Sequence, residues 1–574
     1  MDHQDTHDVT HEANRSGRAD LEQWAATSPQ NFYTSDPHFV SIVEQRSVEA
    51  RRGALVEELT AFGAACAQHV DGLARENNLH RNLPELDRYS PYGARTERVS
   101  HHPTYHSAGE YIYGAGAIAA LAEEANLFGA LTRFYVSSHN GEAGHNCPLA
   151  CTAGVVRVLQ ELGDDALKER FLGRLLDRDY ARHYEGAQFL TEVQGGSDVG
   201  ANATRAVLAE DGTWRIHGEK WFCSNVDADV YLMTARLPDA PEGTRGLGLF
   251  LVPRELEVGG VNAFHVRRLK DKLGTRSMAS GECDFRGARA YHMGEVGEGF
   301  KHMMELVINT SRLYNAVGCA GLARRAYVDA RRYAAHRRAF GRPVLEFPLV
   351  QETLSNVRVD VELMTSGTFY LVQTQDRMDA GEGTDADVGF MRLAINLNKS
   401  FTAKRARWAI TEGIEVLGGN GAIESFSVLP RLLRDSIVFE NWEGTHNTLL
   451  SQCLRDMHRY GVHDAYLARC EELIEGTARE AELTTALSRC RARIDGVLSA
   501  PQASASLALR PLADTLCATM YASVRARELE TFGLGDEARR EAELALDHFI
   551  SRHVLPEEPT YDATYLERIA TLSS

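Results

Sequence analysis

Apolar residues recur at three- and four-residue intervals over residues 37–184, most clearly in 41–76 and 154–176. That is the period of helices with one buried face. The interval 80–103 breaks the pattern with Pro84, Pro91 and Pro103 and is predicted as loop. From residue 188 to about 289 the period becomes two. Segments 204–208 and 213–218 flank Asp211-Gly212, a hairpin turn signal, and strand-like runs follow at 230–235, 247–252 and 281–285. The helical period returns from residue 299 to about 460. Runs at 309–340 and 387–417 are long enough for a four-helix bundle, with the acidic stretch 378–385 as the loop between two of its helices. A further helical region fills 463–574. The polar residues 1–30 read as a disordered lead. The expected fold is therefore α+β and multidomain: a lead (1–30), an N-terminal α-helical domain (31–186), a middle β-barrel or sandwich (187–292), a C-terminal four-helix bundle (293–460) and an additional helical extension (461–574).

Composition narrows the partners. A chain of 574 residues exceeds a single core, so several domains are expected. With 62 basic against 80 acidic residues, broad unspecific binding to nucleic acid or anionic membrane is not expected. The ten cysteines lack C-x-x-C spacing and read as reduced thiols. The N-terminus has no apolar signal segment, and no window reaches 18 uninterrupted apolar residues, so the expected location is cytoplasmic, with no membrane partner. The arginine run Arg324, Arg325, Arg331, Arg332, Arg337, Arg338 and Arg342 reads as a solvated helix face, its C-terminal members being placed for anion binding.

The candidate chemistry centres on Phe439-Glu440-Asn441-Trp442-Glu443-Gly444-Thr445-His446-Asn447. A carboxylate beside a large aromatic is a candidate for a raised pKa, as a base that takes a proton from carbon near neutral pH needs. If this stretch is helical, His446 shares the face of Glu443. The window Gln188–Val199 holds a double glycine, Gly195-Gly196, between the hydroxyls Thr191 and Ser197, a pattern suited to phosphate or ring oxygens. Gly218–Asn225 offers the aromatic pair Trp221-Phe222 followed by Ser224, for stacking on a planar group and bonding its edge. Residues 114–119 fit G-x-G-x-x-A but no strand precedes them, so a closely packed helix is expected. The histidines and cysteines of 139–151 match no zinc spacing, and no metal is expected.

In this order the motifs resemble the acyl-CoA dehydrogenase superfamily of flavoproteins. The family pattern T-E-P-x-A-G-S-D, K-x-W-I-T-N, R-x-x-F-G, Q-x-x-G-G-x-G and R-D-x7-E-G-T is met by Thr191-Glu192…Gly196-Ser197-Asp198, Lys220…Phe222-Cys223-Ser224-Asn225, Arg337…Phe340-Gly341, Glu415…Gly418-Gly419-Asn420-Gly421 and Arg434-Asp435…Glu443-Gly444-Thr445. Residues 142–148, 269–277 and the C-terminal extension are similar to the AidB-like, adaptive-response branch.

The resemblance implies FAD as cofactor and an acyl-CoA or related thioester as substrate. Glu443 would remove the α-proton while the β-hydride passes to flavin N5; the electron acceptor is not specified. Thr191 would bond the flavin's pyrimidine side, Ser197 the pyrophosphate or the substrate, Phe222 would face the isoalloxazine, and Ser224 would bond N5. Arg337, with Phe340 of the same motif, would hold the FAD of a neighbouring subunit, and Gly418 and Gly419 would admit its adenosine half, which implies a homodimer or homotetramer. Thr445 and Asn447 would close over the cofactor, and Arg312 would lie near the acyl-CoA pocket. Ser311 stands where some members carry the base and cannot serve. Phe222 replaces a family Trp, Glu415 a Gln, Pro348 a Gln that contacts FAD across subunits, and Val193-Gln194 the Pro of T-E-P and its neighbour. The alternatives are an AidB-like protein that binds DNA and protects it from alkylation, and a flavin oxidase or monooxygenase on the same scaffold. DNA is not the expected partner, because residues 455–574 carry 20 acids against 14 arginines and no lysine.

Overall fold

The computed structural model describes residues 12–574. Its N-terminal part is built from α1 (Glu12–Ala26), α2 (Pro37–Arg46), α3 (Glu49–Ala65), α4 (Asp71–Asn77), α5 (Pro103–Gly114), α6 (Leu127–Ser138) and α7 (Ala143–Leu162), followed by the single turns α8 (Asp165–Leu167) and α9 (Gly173–Leu175). Three expectations change here. The polar lead is helical from Glu12 onward, because Trp24 anchors α1 by stacking on Phe426 at 5.0 Å and meeting Tyr333 edge-on; residues 1–11 of that lead lie outside the described residues. The interval 80–103 is not all loop: β1 (Glu85–Tyr89) and β2 (Arg95–Ser100) form an antiparallel hairpin, and its three prolines stand outside the strands. Residues 114–119 are not one packed helix: α5 ends at Gly114, Gly116, at φ +83°, turns the chain against Arg178, and a 3-10 turn begins at Ala119.

The middle region contains β3 (Gly186–Phe189), β4 (Arg205–Leu208), β5 (Trp214–Ser224), β6 (Val230–Arg236), β7 (Leu247–Pro253), β8 (Phe264–Leu269) and β9 (Ser280–Met293). Gly212 makes the turn between β4 and β5, as its Asp-Gly signal predicts. Pairing runs β6–β7–β9–β5–β4, and the Arg205–Arg236 pair returns from β4 to β6, closing a barrel. β3 lies parallel to β6 outside the ring, and β8 pairs with β9. Alternation of side chains divides β6 and β7 between two cores. Tyr231, Met233, Phe250 and Val252 fill the barrel, while Val230, Leu232, Leu249 and Leu251 pack on the helices. A strand buried on both faces reads as a nearly continuous apolar run, as β7 does and β6 does apart from Thr234 and the terminal Arg236.

After α10 (Gly299–His302) comes α11 (Asn309–His336), the central helix of the bundle. It is enclosed around most of its circumference, against α6, α7, α12 (Pro348–Asp379) and α13 (Asp385–Leu417). The short hairpin β10 (Arg338–Ala339) and β11 (Arg342–Pro343) joins α11 to α12, and α14 (Leu429–Asn441) and α15 (His446–Tyr460) complete this region. The arginine run is not simply a solvated face. Arg324 and Arg325 are buried, paired with Asp36 at 3.2 Å and with Asp71 at 3.0 Å, and Arg331 bonds the Ser573 carbonyl.

The extension consists of α16 (Val462–Ile474), α17 (Glu480–Ser499), α18 (Gln502–Thr531), α19 (Asp536–Phe549) and α20 (Ala563–Ser573). It packs on the bundle and shares its core. Buried Asp360 of α12 is one polar tie: it accepts from Arg405 Nε at 2.7 Å, and from Arg552 and His553 at 2.9 Å each. Opposing cations hold its carboxyl far below the usual range despite burial. Among the described residues no helix is long and apolar enough to cross a membrane, and all ten cysteines are free and buried.

Candidate active site

Glu443 is not on a helix. α14 ends at Asn441, and Glu443 (φ +55°) and Gly444 (φ +101°) turn the chain through the left-handed region before Thr445 caps α15. A non-glycine residue there costs on the order of 1 kcal/mol and persists only where its surroundings hold it. Two buried cations do so. Arg312 Nε of α11 donates to the Glu443 carbonyl at 3.1 Å, and Lys399 Nζ of α13 donates to the carbonyls of Gly444 (2.9 Å) and Glu440 (3.0 Å). His446 therefore does not share a helical face with Glu443. Its ring meets Ser400 at 3.1 Å and lies 3.7 Å from Glu440.

The Glu443 carboxylate accepts from Gln188 Nε2 of β3 at 2.9 Å, and the same amide reaches Ser311 Oγ at 3.2 Å. Burial pushes the Glu443 carboxyl up to about 7, against the opposing pull of Arg312, Lys399 and the Gln188 hydrogen bond. Beside it lies a cavity of about 30 Å³, lined by Phe134, Cys147, Cys151, Tyr314, Trp442 and Ser311 among others. Cys147 and Cys151, one turn apart on α7, form with Met278 a small sulfur-rich cluster against Trp442. Ser311 sits in the cavity wall, bonded to Gln188, with no acid of its own.

The barrel presents a second group of residues. The segment of Thr191, just past β3, is held against β5 by the bond from Trp221 N to the Thr191 carbonyl at 2.9 Å, and Phe222 and Ser224 follow on β5. Among the described residues neither hydroxyl has a hydrogen-bond partner, and Phe222, two residues before Ser224 on β5, is 51% exposed. Two unpartnered hydroxyls and an exposed ring in this part of the barrel suit a planar heterocycle with polar edges. The loop is fixed from beneath by the buried pair Glu192–Lys220 (2.9 Å), Glu192 also accepting from the backbone N–H groups of Ala203 and Thr204. Ser197 Oγ lies 3.1 Å from Thr448 Oγ1, which is 3.1 Å from Thr445 Oγ1. Asn447 meets Arg510 of the extension at 3.2 Å.

The structure brings Glu443, Thr191, Ser197, Phe222, Ser224, Thr445 and Asn447 to one end of the bundle. It does not bring Arg337, Phe340, Gly418 and Gly419 there. These lie at the C-terminal ends of α11 and α13, roughly 38 Å of helix beyond Arg312 on α11 and roughly 28 Å beyond Lys399 on α13. Asn420 bonds Tyr333 there at 3.1 Å; Phe340 tips the β10–β11 hairpin, 96% exposed. Gly418, at φ +60° and ψ −141°, occupies a conformation open to glycine alone, and the space over it and Gly419 is open. Arg312, expected near the acyl-CoA pocket, is buried. It reaches Asn396 (2.7 Å) and Gln452 (3.2 Å) as well as the Glu443 carbonyl, so its donors serve the protein itself. Gln188 and Lys399 were given no role by pattern. The signal visible in the sequence is a polar run, Asn396, Asn398, Lys399 and Ser400, between the apolar stretch 393–395 and Phe401 in the most buried part of α13.

Comparison with known proteins agrees with this architecture. Residues 297–458 match the acyl-CoA dehydrogenase C-terminal domain, 187–288 its middle domain, and 22–182 the N-terminal domain of the adaptive response protein AidB. The chain belongs to the acyl-CoA dehydrogenase family. Within it, the chain is 34% identical over 437 residues to the putative acyl-CoA dehydrogenase AidB of Escherichia coli (72% of this chain, 78% of the relative), and 33% identical over 471 residues to acyl-CoA dehydrogenase family member 11 of Caenorhabditis elegans (79% and 75%). The crystal structure of Caenorhabditis elegans ACDH-11 in complex with C11-CoA superposes with a TM-score of 0.83 at 28% identity, covering 92% of each chain. Family membership and the fit of the barrel surface support FAD as the cofactor.

Proposed function

We propose that this protein is an FAD-dependent acyl-CoA dehydrogenase in which Glu443 removes the α-proton of an acyl thioester. The observation that carries the reading is the Glu443 carboxyl itself. It is held by Gln188 of β3 at a cavity between the N-terminal helices α6 and α7 and the bundle, with its pKa raised to about 7, where a carboxylate is both available and basic enough to act. FAD, when bound, supplies the acceptor for the β-hydride.

The chain's own residues divide the remaining work. Thr191, Ser224 and Phe222 would hold the isoalloxazine on the barrel. Ser197, Thr445 and Asn447 would line its diphosphate or the thioester. Phe134, Phe439 and Trp442, which line the cavity, would wall the acyl group and exclude water, and that burial raises the Glu443 pKa. The acyl-CoA complex of the Caenorhabditis elegans relative supports a thioester substrate. Because Arg337, Phe340, Gly418 and Gly419 stand at the opposite end of the bundle from Glu443, we propose that they serve the site of a second copy, making the working unit at least a dimer. The purified protein is expected to carry FAD and to reduce an artificial electron acceptor with members of an acyl-CoA panel; a protein that refuses FAD overturns the reading.

A further inference from the structure

Lys399 lies in the middle of α13, fully buried, with its ammonium among backbone carbonyls. Two of its protons are committed, to Glu440 O at 3.0 Å, one of the last carbonyls of α14, and to Gly444 O at 2.9 Å. A cation among the last carbonyls of a helix is favoured by the helix dipole. The second bond falls on the residue after Glu443, within the strained pair of left-handed residues. A buried lysine with no carboxylate in hydrogen-bond contact is costly, and nothing in the packing of α13 requires one there.

We propose that Lys399 is a positioning residue for the base: it pins the 443–444 turn from the bundle side, as Arg312 pins it from α11, and supplies the positive charge that keeps Glu443 available as a carboxylate. The proposal rests on the reading of Glu443 as the base. The groups facing this pair come from every neighbouring element: Arg312, Ser311 and Cys319 from α11, Glu440 from α14, Cys151 from α7, Gln188 from β3, and His446 and Ser400 at the start of α15 and on α13. Burial lowers the Lys399 ammonium to about 8, opposed by Cys319, Glu443 and Glu440, so it is mostly charged at pH 7, where Glu443 is half ionised. Both cations lower the Glu443 pKa; losing one moves it upward.

The test compares wild type, Lys399→Met, Lys399→Arg and Glu443→Gln as FAD-loaded full-length proteins. The readouts are the pH profile of kcat/KM and an infrared titration of the Glu443 carboxyl, its band assigned by its loss in Glu443→Gln. Lys399→Met is expected to keep FAD and fold, lower kcat at pH 7 at least tenfold, and move both the acid limb and the infrared titration up by about one pH unit; Lys399→Arg is expected to restore the pH position at least in part. An unshifted titration and profile in Lys399→Met overturn the proposal while Glu443→Gln remains inactive. A fully active Glu443→Gln instead removes the reading on which the proposal rests. Should Lys399→Met not fold, Lys399→Gln, which keeps a donor but not the charge, carries the same comparison, with the same shift expected and an unshifted titration again overturning the proposal.

Discussion

Gln188 Nε2 donates to Glu443 Oε1 at 2.9 Å, joining the first strand of the barrel region to the turn between α14 and α15. The carboxylate is therefore oriented by one domain and its backbone by another. A hydrogen bond to a charged group is worth about 1.5–3 kcal/mol, or roughly one to two pKa units. Gln188→Leu should raise the acid limb of the pH–rate profile by about one unit and lower kcat/KM at pH 7, with FAD retained. An unchanged limb would mean that the bond is incidental.

The Glu443 carboxyl also has a signature in stability. Its folded pKa of about 7 lies above the unfolded value of 4.5, so the unfolded chain releases that proton first. The contribution is fully present below about pH 4.5 and is lost as pH rises through 7; above that, the buried carboxylate destabilises by up to about 3 kcal/mol. Glu443→Gln should therefore raise Tm relative to wild type at pH 8, with the gain shrinking toward pH 5. Equal gains at both values would contradict the raised pKa.

Glu192 shows the opposite sign. Lys220 and two backbone N–H groups hold its carboxyl down to about 2. The stability it provides is present above about pH 4.5 and is lost as pH falls toward 2. Breaking a buried pair leaves an uncompensated charge, so Glu192→Ala should cost about 3–5 kcal/mol. Because Glu192 anchors the loop of Thr191 and Ser197, the variant should also release FAD more readily, measured by flavin fluorescence after dilution.

Asp360 gathers Arg405 from the bundle with Arg552 and His553 from the extension. Asp360→Ala should destabilise by about 3–5 kcal/mol and expose the 461–574 region to limited proteolysis ahead of the bundle. If cleavage there is unchanged, the extension is held by its other contacts and Asp360 is not its anchor.

The alternation of residues 204–285 and the long helical periods were enough to divide the chain into helical, β and helical parts, because each pattern follows from which face is buried. The five ordered motifs pointed to Glu443, and the structure places it at a cavity. Closure of the barrel was not legible, since it depends on a single pair, Arg205 with Arg236. The helix at 12–26 was missed because its polar residues dominate and its anchor, Trp24, finds Phe426 some 400 residues away. The clamp on the Glu443 turn was hidden for the same reason: Arg312 and Lys399 act on backbone carbonyls brought close only by tertiary packing, and the turn's left-handed residues leave no periodic trace.

The pH dependence of acyl-CoA dehydrogenation in wild type and Glu443→Gln tests the central claim most directly. With an acyl-CoA that is turned over and an artificial electron acceptor, wild-type kcat/KM should rise through an inflection near pH 7 as Glu443 loses its proton. Glu443→Gln should be lower by about 10²–10⁴ at every pH and lack that inflection, with FAD still bound. A Glu443→Gln variant that retains both the rate and the inflection would contradict the assignment of Glu443 as the base.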